Sequence, residues 1–451
     1  MNRSINLKAF AAAIFVSFAG YPAATAQNTG TGGPLKQAEL PQPVPLNVLR
    51  RVVVNGVDRM TSVGPEERNA FPSEGPKFYI AADLQEPGTT ALNRFNNGPD
   101  HRDSTSNALP GYVLEGPNGA AWTRRSELPG LSPILEGFKG TTGDYALMRL
   151  GEDLPGYKTQ TLQAYGFQRF GNDTESLLSL TKGGVTVESN RVYGGSLWHW
   201  KWDGVEFLNP VSPYDAVGAA ILLFFDVGQG DRNAFEEGDG FGHGAPALSV
   251  QNQGNTQSSR TVPVADPTVI GVDPDHPLIW KNIVFAKDLD LDFNRMGPVA
   301  RYATHLSLPS PIGAASLYHP ILRVQPQFNR FFVYYAASDT LVEVTGLIPN
   351  ACVDDSGHLV NLEVGGIIVS DSSATHALGV YGADIANGGS ITDYVLKKYP
   401  CRADAIDYTR LDIIRNAPLP TGDSTYNAYL ITETLDNVRQ KMRQLFLADV
   451  R

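Results

Sequence analysis

Six acidic or imidazole groups fall within eighteen residues: Asp226, Asp231, Glu236, Glu237, Asp239 and His243, in the stretch DVGQGDRNAFEEGDGFGHGAP. A carboxylate pair beside an imidazole is the equipment for general acid–base work on a glycosidic bond. The same oxygen density can instead hold calcium. DRNAFEEGDGFG, however, lacks the glycine and closing glutamate of an EF-hand loop. The plainer alternative is a solvated acidic loop with glycine turns.

A second group lies in LYHPILRVQPQFNRFFVYY, with His319 before Pro320, then Arg323, Asn329, Arg330, Tyr334 and Tyr335. A base, a proton donor and a cation to neutralise a uronate are what a polysaccharide lyase needs. These types are equally ordinary at the entry to a strand. Asp288, Asp290 and Asp292 alternate, so they share a strand face and repel unless a cation or Arg295 and Arg301 compensate. Upstream, Trp198, Trp200 and Trp202 alternate with Leu197, His199 and Lys201, a period of 2 that predicts a strand with an indole face. Asp203-Gly204 supplies its hairpin turn. His199 reads as a packing residue. The nominated catalytic residues are Glu236, Asp239, His243, His319 and Arg330. Trp198, Trp200, Trp202, Asn329 and Tyr334 are the nominated sugar contacts. No resident cofactor is expected, calcium being the alternative.

Several chemistries are excluded. The 451 residues carry 36 Lys and Arg against 47 Asp and Glu, a net charge of −11, which opposes nucleic acid and anionic membrane partners. G-x-S-x-G, H-E-x-x-H, a Walker loop and a strand–helix G-x-G-x-x-G are all absent from the sequence.

Arg3 and Lys8, the apolar run Ala9–Phe18 and Ala24-Thr25-Ala26 make residues 1–26 a signal peptide, too short in its apolar run to span a bilayer. A periplasmic or secreted protein without membrane insertion is expected, and a monomer. Residues 27–44 are a Gly/Pro/Gln tether. Cys352 and Cys401 are the only cysteines. In an oxidising compartment their default is a disulfide, worth about 4 kcal/mol through loop closure.

The elements that must position these groups are mainly β. Over residues 45–175 a pattern recurs three times, with Asp58, Asp100 and Asp144 after glycine turns, and Glu74 and Glu115 in Glu-Gly-Pro triplets. Three units of about 40 residues, none able to bury its own face, predict closure around a threefold axis, a β-trefoil-like module. A two-repeat open sheet packed on the next domain is the alternative. Residues 176–451 read as a long β domain of short β-branched and aromatic runs. Asp423–Leu447 alone has helical periodicity and is expected to cap the sheet edge.

LNRFNNGPDHRDS and GYVLEGPNGAAW, between Leu92 and Trp122, resemble a repeat module common in secreted bacterial proteins. That resemblance implies a surface or glycan-binding appendage and no catalytic residues. Asn93 stands where an aromatic often precedes the arginine. YGGSLWHWKWDGVEFLNP, GDGFGHGAPAL and FNRFFVYY, between Gly194 and Tyr335, resemble secreted proteins with a large β-sandwich of the galactose-mutarotase type. That superfamily holds epimerases, lyases, hydrolases and non-catalytic members. An epimerase-like histidine acid and glutamate base would fall on His243, His319 and Glu236 or Glu237. The turn Tyr214-Asp215-Ala216-Val217-Gly218 lacks the arginine such proteins carry. Two functions follow as expectations: a polysaccharide hydrolase or lyase, or a glycan-binding or adhesion protein without turnover. Convergence of Glu236, Asp239 and His243 with His319 and Arg330 would favour the first.

Overall fold

The computed structural model describes residues 43–169, 177–209, 219–226, 231–238, 243–265, 276–313, 315–348, 358–360, 365–382, 392–399, 408–416 and 418–448. Nine strands come first: β1 Val44–Val54, β2 Asp58–Ser62, β3 Ser73–Ala81, β4 Thr89–Asn96, β5 His101–Ser104, β6 Val113–Trp122, β7 Ser132–Lys139, β8 Asp144–Met148 and β9 Lys158–Gln168. β1 pairs with β2 and β3, β4 with β5 and β6, and β7 with β8 and β9. The last strands of the three units then meet. Ala81 lies opposite Ala120, Trp122 opposite Tyr165 and Tyr79 opposite Phe167, which closes a ring. Each unit therefore has three strands. Gly56, Gly98 and Gly143, in the turns before β2, β5 and β8, take φ of 76°, 98° and 73°, where only glycine sits without strain. No unit can bury its own apolar face. Together Leu49, Phe78, Ile80, Leu92, Ala121, Ile134, Leu147 and Ala164 form one core.

Charge follows the same wiring with one reversal. Arg51 Nη1 donates to the Leu147 carbonyl at 2.9 Å, and Arg94, at the matching place in the next unit, donates to the Thr61 carbonyl at 2.9 Å. The third unit has Glu136 there. It accepts from Arg102 Nε and Nη2 at 2.7 and 2.9 Å, so the polarity of the link is inverted.

The rest of the described chain forms two antiparallel sheets face to face. The first runs Leu177–Lys182, Val185–Asn190, Ser196–Trp202, Ala219–Asp226, Ala315–Val324, Tyr408–Asn416, Thr392–Tyr399 and His358–Val360. The second has nine strands, in the order Ala247–Gln253, Thr256–Thr261, Val284–Asp290, Val299–Leu308, Gly422–Glu433, Ala377–Gly382, Gly366–Ser370, Arg330–Tyr335 and Thr340–Glu343. Leu197, Ile221, Leu223, Leu317 and Leu411 of the first sheet bury against Phe285, Tyr302, Leu306, Val333, Val380 and Leu430 of the second. This is sandwich packing. The module joins it through Val44 and Pro45, which pair with Ile279 and Leu278, and through a shared core of Leu46, Tyr79, Trp122, Ala245 and Val262.

Two expectations need correction. The helix is Leu435–Leu447, and Gly422–Glu433 before it is a strand. That strand is apolar on both faces: Tyr426, Ala428 and Leu430 enter the inter-sheet core, while Tyr429 and Ile431 meet the helix. A strand buried on both sides shows no alternation, so its pattern blends into that of the helix behind it. The helix also covers a sheet face rather than an edge. Val438, Met442 and Leu445 pack on Ile368, Tyr381 and Tyr429. Gly379 makes room for it, since a Cβ there would lie 2.5 Å from both Val438 and Met442.

Candidate functional site: the outer face of the first sheet

The acidic stretch around Glu236 divides between two environments. Glu236 is 1% exposed and looks inward. Its Oε1 lies 2.7 Å from Lys287 Nζ, and its Oε2 accepts from Ile221 N at 2.8 Å. Lys287 donates also to the Gly195 carbonyl at 2.9 Å. Burial pushes the Glu236 carboxyl up and the Lys287 ammonium down, and each charge opposes its partner's shift. The pair ties the two sheets together and has no access to a substrate. Glu237 faces the other way and holds Arg323 bidentately, Oε2 to Nη1 at 2.7 Å and Oε1 to Nη2 at 3.1 Å. Asp239 lies outside the described residues. His243 is half-buried beside the Gly238–Gly244 bridge.

The other nominated residues are scattered. His319 is 2% exposed in the inter-sheet core, its ring 5.3 Å from that of Tyr426. Burial, aided by the Arg415 charge, pushes its pKa down to about 3, so it is neutral and enclosed rather than an acid at a surface. Arg330 opens a strand of the second sheet and pairs with Glu343 at 2.7 Å; Asn329 before it is exposed. Tyr334 is fully buried, its hydroxyl donating to Asp339 at 2.9 Å. Glu236, His319 and Arg330 thus do not converge. The alternating aspartates are compensated individually: Asp288 by His305 at 3.1 Å, Asp290 by Arg301 at 3.7 Å, and Asp292 by the Gly297 amide at 2.8 Å. Cys352 and Cys401 lie outside the described residues.

The tryptophans do not share a face. Pairing of Val185–Asn190 with Ser196–Trp202 shifts register between Glu188 and Ser189, leaving Trp198 as the extra residue of a β-bulge. Trp200 therefore points inward, 1% exposed, with Nε1 donating to Thr432 at 3.2 Å. Trp202 packs half-buried against the same core, with the His376 ring 5.6 Å away, edge-on. Trp198 alone turns outward and stacks on Tyr193 at 5.7 Å and 26°.

The outer face that Trp198 joins is aromatic at one end and charged at the other. Tyr193, Trp198, Phe224, Phe235 and Tyr318 gather over Ala220, Leu222, Ile321, Val395 and Ile414. Farther along the same strands stand Arg323, Arg410 and Lys397, with Arg323 paired directly to Arg410 and Arg410 to Lys397. Arg410 lies over Tyr318 at 5.4 Å and donates through Nε to both Asp412 oxygens at 2.9 and 2.8 Å. Burial pushes the Asp412 carboxyl up, while the charges of Arg410, Lys397 and Arg323 oppose that shift. Tyr193, Tyr318, Lys397, Arg410 and Asp412 were not singled out in the sequence. A signal was there: in YTRLDIIRN, Arg410 and Asp412 alternate with Leu411 and Ile413, which is one charged face on a strand that is otherwise apolar.

Among the described residues one carboxylate cluster has the spacing to hold an ion, Asp58, Asp100 and Asp144, with ligand atoms within 4.8 Å of one another. Hydrogen bonds already account for it. The amides of His101, Tyr145 and Arg59 donate to Oδ1 of Asp58, Asp100 and Asp144 at 3.0, 3.3 and 3.1 Å, each from a neighbouring unit. The Oδ2 atoms meet His101 Nδ1, Tyr112 OH and Tyr157 OH.

No family model matches the sequence, and no curated protein does. Solved structures overlap it in part. A galactose mutarotase-like protein from Lactobacillus casei has 9% identity and a TM-score of 0.37, covering 57% of this chain and 100% of its own. A galactose mutarotase related enzyme from Lactobacillus acidophilus has 10% identity and a TM-score of 0.35, covering 58% of this chain and 98% of its own. A heparan sulfate lyase from Pedobacter heparinus has 6% identity and a TM-score of 0.31, covering 55% of this chain and 33% of its own. Overlaps this loose assign the chain to no family and leave function to its own side chains.

Proposed function

We propose that this chain is an exported carbohydrate-active protein that receives a saccharide on the outer face of its first sheet, for recognition. The observation that carries the reading is the half-buried set Tyr193, Trp198 and Arg410 on one face, backed by Tyr318, Arg323, Glu237 and Asp412, which are buried beneath it. Sugars offer an apolar ring face and a dense set of hydroxyls, which aromatic rings and planar ionised groups match. Recognition is preferred to turnover because Glu236, His319 and Arg330 are apart and engaged elsewhere. The second reading, a hydrolase or lyase, would rest on Glu237, 8% exposed on that face, since Asp412 at 1% is as enclosed as Glu236. Export, with residues 1–26 as signal peptide and a Cys352–Cys401 disulfide, belongs to the proposal and is supported by the leader pattern. Among the described residues no helix is long and apolar enough to cross a membrane. A trefoil-like module at 45–175 is supported by the three alike units, and a mutarotase-type domain at 176–451 by the two-sheet packing.

The test is affinity electrophoresis of residues 27–451 in neutral and acidic polysaccharides, with reducing-end and unsaturated-uronate assays alongside. Retardation is expected, and Trp198→Ala should weaken it about tenfold, as loss of an aromatic anchor does. New reducing ends or ultraviolet absorbance that vanish with Glu237→Gln would establish turnover instead. No retardation in any polysaccharide would end the proposal.

A further inference from the structure

We infer that the saccharide taken by this face is neutral, and that two of its neighbouring hydroxyls dock on His199 and Glu188, beside Trp198. The inference rests on the outer-face reading above and uses a different part of that face. The bulge at Trp198 turns that indole outward, and alternation beyond it turns His199 outward and Trp200 inward, so Trp198 and His199 serve one face. His199 lies directly opposite Glu188 on the neighbouring strand. It is not the packing residue that its place among the tryptophans suggests. Its side chain is 26% exposed and that of Glu188 25%.

Glu206 fixes the imidazole. Its Oε1 accepts from the amides of Trp200 and Leu208 at 3.0 and 3.1 Å, and its Oε2 lies 2.8 Å from His199 Nδ1. A carboxylate only accepts, so Nδ1 carries the proton of the neutral ring and Nε2 is left as an acceptor. Nε2 stands 3.9 Å from Glu188 Oε2, beyond hydrogen-bond range, and among the described residues neither atom has a hydrogen-bond partner. Glu206 and its two amides lock the hairpin by themselves; Glu188 adds no bond to the fold. Two half-exposed acceptors side by side match two sugar hydroxyls, each of which has a proton to donate. A carboxylate or sulfate on the sugar has none, and Glu188 repels it. Lys201 Nζ, 3.9 Å from Glu206 Oε2, offsets Glu206 and leaves the Glu188 charge in excess. At the far end of the face Arg323 and Arg410 are already neutralised by Glu237 and Asp412. A chain with net charge −11 has the same bias against acidic polymers.

The experiment is affinity electrophoresis of residues 27–451 in galactomannan, xyloglucan and dextran, in their O-methylated forms, and in polygalacturonate and dextran sulfate. Expected is retardation by a neutral polymer and weaker retardation by both acidic ones. The O-methylated form of the bound polymer keeps its ring faces and loses its donors, and should bind at least tenfold more weakly. Glu188→Ala and His199→Phe should each weaken neutral binding about tenfold. Glu188→Ala should melt with the parent, because an exposed pair at this distance contributes little. If His199→Phe melts early, Glu188→Ala decides alone. Three results would overturn the assignment: an acidic polymer bound as tightly as the neutral ones, an O-methylated polymer bound as tightly as its parent, or Glu188→Ala binding unchanged. Each leaves the outer-face reading standing if Trp198→Ala still loses binding. Silence toward every polymer would remove the outer-face reading itself.

Discussion

Lys287→Met is expected to lower the free energy of unfolding by about 3–5 kcal/mol, the cost of leaving one member of a buried ion pair alone. Lys287 and Glu236 are 2% and 1% exposed, and their contact is 2.7 Å. Methionine matches the stem of lysine, so the cavity term is small and the loss reports the stranded carboxylate. Glu236 would keep the Ile221 amide as a donor. The double variant Glu236→Gln/Lys287→Met should recover most of the loss, because a neutral amide still accepts from Ile221 and no charge remains in the core. Urea unfolding followed by tryptophan fluorescence measures both. A single variant within about 1 kcal/mol of the parent would mean that the carboxyl takes up a proton at little cost.

The same pair explains why acid–base residues nominated from spacing did not assemble. In sequence, Glu236 and Glu237 are adjacent and equivalent. In the fold their carboxylates part at the bend that follows the strand Asp231–Phe235. What decides the role of each is a partner far along the chain, Lys287 for one and Arg323 for the other. His319 is a similar case. It lies in a strand at a register shift between Tyr318 and Ile321, and Pro320 in LYHPIL marks a ladder irregularity there without saying which way the histidine turns. The bulge at Trp198 is equally silent, since an added residue in a strand leaves composition untouched while reversing the faces beyond it.

What could be seen in advance was what composition and short periods encode. The β-branched runs, the glycine turns and the turn pair Asp203-Gly204, whose φ values are 50° and 76°, carry local instructions that survive into the fold. The C-terminal helix was visible through Val438, Met442 and Leu445, but its start was not, because the strand before it is apolar on both faces. The cationic row is visible only in part. Arg410 and Asp412 alternate within one strand, whereas Arg323 and Lys397 join them through pairings between strands remote in sequence.

The aspartates shared by the three N-terminal units are expected to contribute stability that is lost as pH rises from about 5 to about 7.5. Asp100 and Asp144 are raised by burial first and then by neighbouring carboxylates, Asp58 for the former and Asp100 and Asp58 for the latter, with Asp144 reaching about 6. Asp103, between Thr61 and Asn118, is raised by burial to about 6 as well. The charged groups facing the cluster from the surrounding strands are Arg59, His101, Arg102 and Glu115, with the hydroxyls of Tyr112 and Tyr157. Burial opposes the charged form of His101, yet the hydrogen bond and charge of Asp58 outweigh it and hold its pKa above the usual value.

All these shifts have one sign. An acid raised in the folded state binds more protons there than in the unfolded chain, whose aspartates titrate near about 4. Its contribution is complete below that value and lost as pH climbs through about 6. His101, raised as well, loses its contribution over a range that lies higher still. Glu152, held down to about 2, acts only at lower pH, whereas His319, held at about 3 in the fold and titrating near about 6.5 in the unfolded chain, adds stability as pH climbs toward about 6.5 and opposes the raised set. Asp144→Asn should therefore flatten the slope and melt higher than the parent at pH 7.5. The gain is about 1–2 kcal/mol once screening at the module surface is allowed for, or roughly 2–4 °C per kcal/mol. Asparagine keeps an acceptor for the Arg59 amide and removes one of three crowded charges. Melting curves of parent and variant at both pH values decide it: an Asp144→Asn chain that melts lower than the parent at pH 7.5, or that shows the parent's slope with pH, would show that the three carboxylates are ionised together and held by their donors alone.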